Sequence, residues 1–321
     1  MIRIVLAALA IAVSAHAALV QDAWAAQVTY YQLPSGAYPH DVAPAPDGTV
    51  YYSGQRKGVL GIFDPKTAKN EEVPLGPGAA PHGVIVGPDG AAWLTEGGQN
   101  AIARVDPKTR AVKLFPLPKD VSYANLNTLA FDGKGVAWFT GQSGFHGRVD
   151  PASGKVDVWK SPRGTGPYGI TVTPSGDIWY ASLAGDYIGK IDAATGNVTV
   201  VDPPKKNSGP RRIWSDSKGV LWVSLWHTGE VGRYDPVART WKAWALPKSG
   251  SGCYAVYVDD KDRVWLTDFV ANAIVRFDPA TETFESFPSN KRGASVRQML
   301  GRPGEAWGGE SGTDRLVVIR D

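Results

Sequence analysis

His82 stands seven residues before Asp89, and Glu96 stands seven residues after it. If Pro88-Asp89-Gly90 is the tight turn of a hairpin, residues equally far from it face each other across the two strands. An imidazole and a carboxylate would then meet at the open end, a general base beside a ligand for a cation. His82 lies 11 residues before Trp93, and His40 lies 11 before Tyr51. The same offset from Trp138, Trp179, Trp222, Trp265 and Trp307 selects Asn127, Tyr168, Arg211, Tyr254 and Val296, or Arg297 if the register slips by one. Three residues after each marker come Gly54, Glu96, Gly141, Ser182, Leu225, Asp268 and Glu310. On a closed ring Glu310, His40, His82 and Glu96 form one arc, with Arg211 and Arg212 across from it and Trp226 and His227 on a nearby loop.

This set gives each residue an expected role. His82 is the general base, and Glu96 with Glu310 holds a divalent cation, which favours hard oxygen ligands. His40, Tyr168 and Tyr254 contact a small-molecule substrate at the mouth, and Arg211 meets an anionic group. The plainer alternative is that these are solvated rim residues and that Pro-His is simply how a strand begins. His146 starts a third strand, away from the channel, and reads as structural.

The elements that position these residues follow from a repeat. An apolar residue and Asp recur at Phe63-Asp64, Val105-Asp106, Val149-Asp150, Ile191-Asp192, Tyr234-Asp235 and Phe277-Asp278, with Asp321 where the next is due. The Asp spacings are 42, 44, 42, 43, 43 and 43 residues. A fixed period of this length marks a repeat architecture. Within residues 79–121, strands are expected at Gly83–Val86, Ala91–Thr95, Ala101–Val105 and Val112–Phe115, separated by turn residues and without helical periodicity. Four short strands per unit and seven units predict an all-β, seven-bladed propeller in which first strands line a central channel. The seventh unit lacks a fourth strand. Val28–Leu33 has the right pattern, so the N-terminal strand should complete the last blade and close the ring.

The ends and composition narrow the class. Arg3, the apolar run Ile4–Val13 and the small-residue sites ending at Ala17 and Ala25 predict that residues 1–25 are a secretory signal peptide, leaving 26–321 as the propeller domain. The run is shorter than the roughly 20 residues that span a bilayer, and no other segment is a candidate. The expectation is an exported monomer, periplasmic or secreted. A net charge of +3 without a Lys/Arg run gives no support to a nucleic-acid partner. Cys253 is the single cysteine, so no internal disulfide can form.

The phrases Ala80-Pro81-His82-Gly83-Val84, Trp93-Leu94-Thr95-Glu96, Asn100-Ala101-Ile102-Ala103-Arg104 and Pro167-Tyr168-Gly169-Ile170-Thr171-Val172 resemble the blade consensus of the virginiamycin B lyase (streptogramin B lyase) family. The resemblance extends over residues 28–321 and implies seven blades. It also implies opening of a cyclic depsipeptide by elimination at the ester, with magnesium. By the same resemblance His82 matches the catalytic His, His40 the second His one blade earlier, and Glu96 the Glu 14 residues after the catalytic His. This pair of blades is the last two in the lyases and the first two here. The family's further metal-binding Glu, two residues before the catalytic His, is Ala80 in this chain. Three readings stay open at this point: an exported, metal-assisted lyase-like enzyme, a binding or scaffold propeller without chemistry, and a metal-dependent lactonase-type hydrolase.

Overall fold

The computed structural model describes residues 26–248, 250 and 252–321; the expected signal peptide lies outside these. Each repeat unit forms one four-stranded antiparallel sheet, and the described residues make seven of them. Blade 2 comprises Pro81–Val86, Ala92–Glu96, Ala101–Val105 and Val112–Pro116, each paired with the next. The repeated Asp residues shape the outer turns. In blade 2, for example, Asp106 accepts hydrogen bonds from the Lys108 and Thr109 amides, which bends the chain between the third and fourth strands.

The core lies between neighbouring sheets. The marker indoles of Trp93, Trp138, Trp222, Trp265 and Trp307 are buried. Trp93 stacks on Phe115 of its own blade and meets Phe131 of the next edge-on, both at centroid distances of 5.3 Å. A buried indole N–H needs an acceptor. A carboxylate of the hairpin turn supplies it, Asp132 for Trp138 at 2.9 Å and Asp259 for Trp265 at 2.8 Å. One marker thus packs two blades and fixes its own turn.

Blade 7 (Val296–Arg302, Glu305–Glu310, Arg315–Arg320) takes its outer strand from the start of the domain, Gln27–Gln32. The two ends pair without interruption from Gln27 with Arg320 to Gln32 with Arg315. Tyr31 stacks on Trp307 of blade 7 and packs against Phe63 of blade 1, so the closing strand ties the last blade to the first.

The first strands surround the channel, and every one carries the same register shift. In blade 1 Pro39 pairs with Gly54 and Val42 with Tyr52, so His40 and Asp41 together face Ser53. In blade 2 Pro81 pairs with Glu96 and Val84 with Leu94. Such a bulge breaks the alternation of side chains and sends two consecutive residues toward one side. Below it alternation resumes with Ala43, Ile85, Ala130, Thr171, Trp214, Tyr257 and Leu300, which line an apolar cavity of about 340 Å³ at the opposite mouth.

Candidate functional site

The bulges place two rings of side chains in the channel. The outer ring is His40, His82, Asn127, Tyr168, Arg211, Tyr254 and Arg297. Blade 7 resolves the open alternative in favour of Arg297, because Val296 itself pairs with Glu310. The inner ring is Asp41, Gly83, Thr128, Gly169, Arg212, Ala255 and Gln298. Its small members leave room for the large ones. A β-carbon on Gly169 would come within 2.7 Å of the Arg212 backbone.

A row of hydroxyls holds these rings in place. Thr95 Oγ1 accepts from the Gly83 amide at 2.7 Å and donates to the Asn127 carbonyl of the next blade at 2.6 Å. Ser53 does the same between Asp41 N and His82 O, at 3.0 and 2.6 Å. Ser224 links Arg212 N to Tyr254 O, at 2.9 and 2.7 Å, and Thr140 links Thr128 N to Tyr168 O. A bulge leaves an amide without a ladder partner, and a buried amide must find one. The hydroxyl provides it and at the same time fixes the backbone of the neighbouring mouth residue.

His40 and His82 are brought together with their ring centroids 4.1 Å apart, both almost fully buried. His82 Nδ1 lies 3.1 Å from the Asn127 carbonyl. A carbonyl only accepts, so Nδ1 carries the hydrogen and Nε2 the lone pair. The Asn127 side-chain amide reaches that nitrogen at 3.4 Å. Burial, the neighbouring His40 and the Arg212 guanidinium hold His82 well below the ordinary imidazole value, against the opposing pull of Asp41. His40 is lowered as well, by burial above all, while Asp41 opposes the shift. Both rings are therefore neutral at neutral pH.

Opposite them Arg211 lies over the Tyr254 ring at 3.5 Å and the Trp226 ring at 4.6 Å. Its Nη2 donates to the Tyr168 hydroxyl at 3.0 Å, and the Tyr168 and Tyr254 hydroxyls are 2.6 Å apart. Burial would raise the Tyr168 phenol, but the Arg211 and Arg212 guanidiniums outweigh it and bring it below its ordinary value. Tyr168 also meets His82 edge-on at 6.3 Å. Hydrogen-bond donors and bases thus share one mouth.

The two carboxylates expected to complete the arc are each held by other groups. Glu96 faces Pro81 and not His82, because the bulge consumes one residue of the first strand. Its Oε1 accepts from the Ala80 amide at 2.6 Å and the Gly98 amide at 3.0 Å, while Oε2 is buried without a partner. Burial raises its pKa against these amide bonds. Glu310 lines a separate cavity of about 110 Å³ between blades 6 and 7. It is buried in an ion pair with Arg315 at 2.5 Å and accepts from Ser289 at 2.7 Å and Thr313 at 2.8 Å. Arg315 neutralises Glu310, so of the two expected ligands Glu96, with its unpartnered Oε2, is the one that keeps an oxygen uncommitted.

Among the described residues, the group of three candidate ligands whose atoms come within 4.8 Å of one another is His40, Asp41 and His82. Asp41, however, already accepts His40 Nδ1–H at 2.8 Å and Arg212 Nη2 at 3.1 and 3.3 Å. A positive guanidinium on the only anion of the group opposes a cation, and this set does not fit magnesium, which prefers oxygen ligands. Asp41 was not legible as a site residue. The one available sign is a carboxylate after Pro39-His40 where blade 2 has Gly83 after Pro81-His82. His146 lies away from the mouth, bonded at 2.8 Å to the Gly196 carbonyl and stacked between Trp159 and Tyr180.

The sequence model of the virginiamycin B lyase family matches residues 68–321. Among solved structures, virginiamycin B lyase from Staphylococcus aureus superposes with a TM-score of 0.85 at 21% identity, covering 92% of this chain and 100% of that one. A streptogramin B lyase gives 0.84 at 20% identity, covering 92% and 97%. A catalytically inactive histidine-to-alanine variant of the S. aureus enzyme with quinupristin gives 0.85 at 20% identity, covering 92% and 100%. Among curated proteins, none matches the chain significantly in sequence. The fold of these structures and the match over most of the chain agree: this protein belongs to the virginiamycin B lyase family.

Proposed function

We propose that the channel mouth bearing His40 and His82 is the active site of a lyase-like enzyme that opens a small, cyclic ester by C–O elimination. The observation that carries this reading is a neutral His82 with its Nε2 lone pair at the same mouth as the Arg211–Tyr168 donor pair. His82 Nε2 takes the proton from the carbon next to a carbonyl. The C–H electrons form the new C=C bond, the ester C–O bond breaks, and the acyl group leaves as a carboxylate. No water is consumed. Arg211, which donates to Tyr168 at the same mouth, meets the negative charge that develops on the carbonyl oxygen. The histidine-to-alanine relative described as catalytically inactive supports a reacting imidazole in this fold.

The test is turnover of streptogramin B and a panel of cyclic esters and lactones by the wild type and by His82→Ala. Loss of the base is expected to lower the rate by about 10²–10⁴ with the fold intact. Turnover is measured with and without added magnesium, and Glu96→Gln should reduce any stimulation by the metal, since Glu96 Oε2 is the carboxylate oxygen left without a partner. A second reading, a binding propeller without chemistry, draws on the commitment of Glu310 to Arg315; it prevails if the whole panel gives no turnover.

Export is part of the proposal and rests on Arg3 and the apolar run Ile4–Val13. Sequencing the N-terminus of native protein should give a start near residue 18 or 26; recovery of Met1 or Ile2 would refute it. Among the described residues no helix is long and apolar enough to cross a membrane.

A further inference from the structure

The two histidines of the mouth are not held alike. Both nitrogens of His82 face Asn127. His40 Nδ1 faces the Asp41 carboxylate at 2.8 Å, and His40 Nε2 makes no hydrogen bond among the described residues. Asp41 is buried, and burial alone would raise its pKa. Arg212, with the bond and charge of His40, lowers it to about 2, so it is ionised and can only accept. Nδ1 of His40 must therefore carry the hydrogen. Asp41 is fixed in turn: its amide is held by Ser53, and both its oxygens meet Arg212, whose Nη1 is anchored on Thr128 at 2.7 Å.

We infer that Asp41 is a positioning residue that locks His40 in its Nδ1–H tautomer and presents Nε2 to the mouth as an acceptor for an N–H or O–H group of the substrate. The tautomer rests on the His40–Asp41–Arg212 contacts and the charge they impose on Asp41; the substrate contact rests on the reading of this mouth as an active site. Arg212 makes the arrangement testable. In Asp41→Asn the guanidinium, which only donates, takes the one remaining oxygen. The amide NH₂ then faces His40 Nδ1 and donates to it, which moves the ring hydrogen to Nε2 and removes the acceptor. Besides Asp41, the titratable or charged groups around His40 are His82, held well below its ordinary value by burial, and the guanidiniums of Arg212 and Arg297.

The experiment is two-bond ¹H–¹⁵N correlation spectroscopy of the labelled protein at pH 7.5, with His40 assigned by the loss of its signals in His40→Gln. The expected result is a pyrrole-like Nδ1 and a pyridine-like Nε2 in the wild type, exchanged in Asp41→Asn. Arg212→Gln keeps the carboxylate and should keep the wild-type tautomer. A wild-type His40 with its hydrogen on Nε2 overturns the inference, even if neither variant folds. So does an Asp41→Asn protein with an unchanged tautomer, or an Arg212→Gln protein that exchanges it. On any ester the wild type turns over, Asp41→Asn should raise KM about tenfold with kcat changing much less. An unchanged KM removes the substrate contact. Absence of wild-type turnover on the whole panel counts against the lyase reading, and the tautomer still decides the role of Asp41.

Discussion

Arg212 of blade 5 crosses the channel to Asp41 of blade 1, 171 residues earlier in the chain, and sets its Nη2 3.1 and 3.3 Å from the two carboxylate oxygens. Both side chains are at most 4% exposed. The pair spans the ring just inside the mouth. A buried ion pair is costly to break because the remaining charge stays buried and unpaired. Asp41→Ala should therefore lower the unfolding free energy by about 3–5 kcal/mol. Replacing both partners with apolar residues, Asp41→Leu with Arg212→Met, should cost less than the single change. Urea unfolding measures both, and a double variant as unstable as the sum of the singles would contradict the pairing.

The hydroxyl row makes a prediction of its own. In Thr95→Val the shape is nearly kept, but the buried Gly83 amide loses its partner, while the Asn127 carbonyl keeps His82 Nδ1 alone. An unsatisfied buried group costs about 1–3 kcal/mol. Thr95→Ser should recover most of that loss, since the hydroxyl returns. Equal stability of the Val and Ser variants in urea would show that the bridge contributes nothing.

The dependence of stability on pH should show two windows. His40, His82 and His146 are all lowered below the ordinary 6.5, by burial first in each case. The unfolded chain then binds protons that the folded one refuses, so stability is full above about 6.5 and falls as pH drops below it. Asp41 acts lower down. Its pKa falls from 3.8 to about 2 on folding, so its contribution is present above 3.8 and is lost as pH falls toward 2. Urea midpoints between pH 8 and pH 2 give the curve, and a flat line from pH 7 to pH 5 would contradict neutral buried imidazoles.

Ring closure is tested by removing residues 26–34. That deletion takes away all six pairs between Gln27–Gln32 and Arg315–Arg320, and the Tyr31 ring that bridges Trp307 and Phe63. Blade 7 is left with a bare edge, and blade 1 loses its contact with the closing strand. A sharply lower melting temperature is expected, and a truncated protein that melts like the full domain would rule out this role.

Local pattern alone was enough for the architecture. The Asp and Trp markers, the turn residues and the missing fourth strand are short-range signals, and a repeat lets seven weak signals agree. The outer ring of the mouth was legible for the same reason, since one offset applied seven times finds one structural position. Two things were not legible. The bulge at each strand entry moves Glu96 opposite Pro81 and turns Asp41 and Arg212 into the channel, because it adds a residue that no spacing rule counts. The other is pairing around the ring. Whether Glu310 is free or held by Arg315, and whether Asp41 meets Arg212 across the channel, depends on which side chains closure brings within 3–4 Å. Sequence distance carries no information about that, and the charge of a buried group follows from its partner more than from its type.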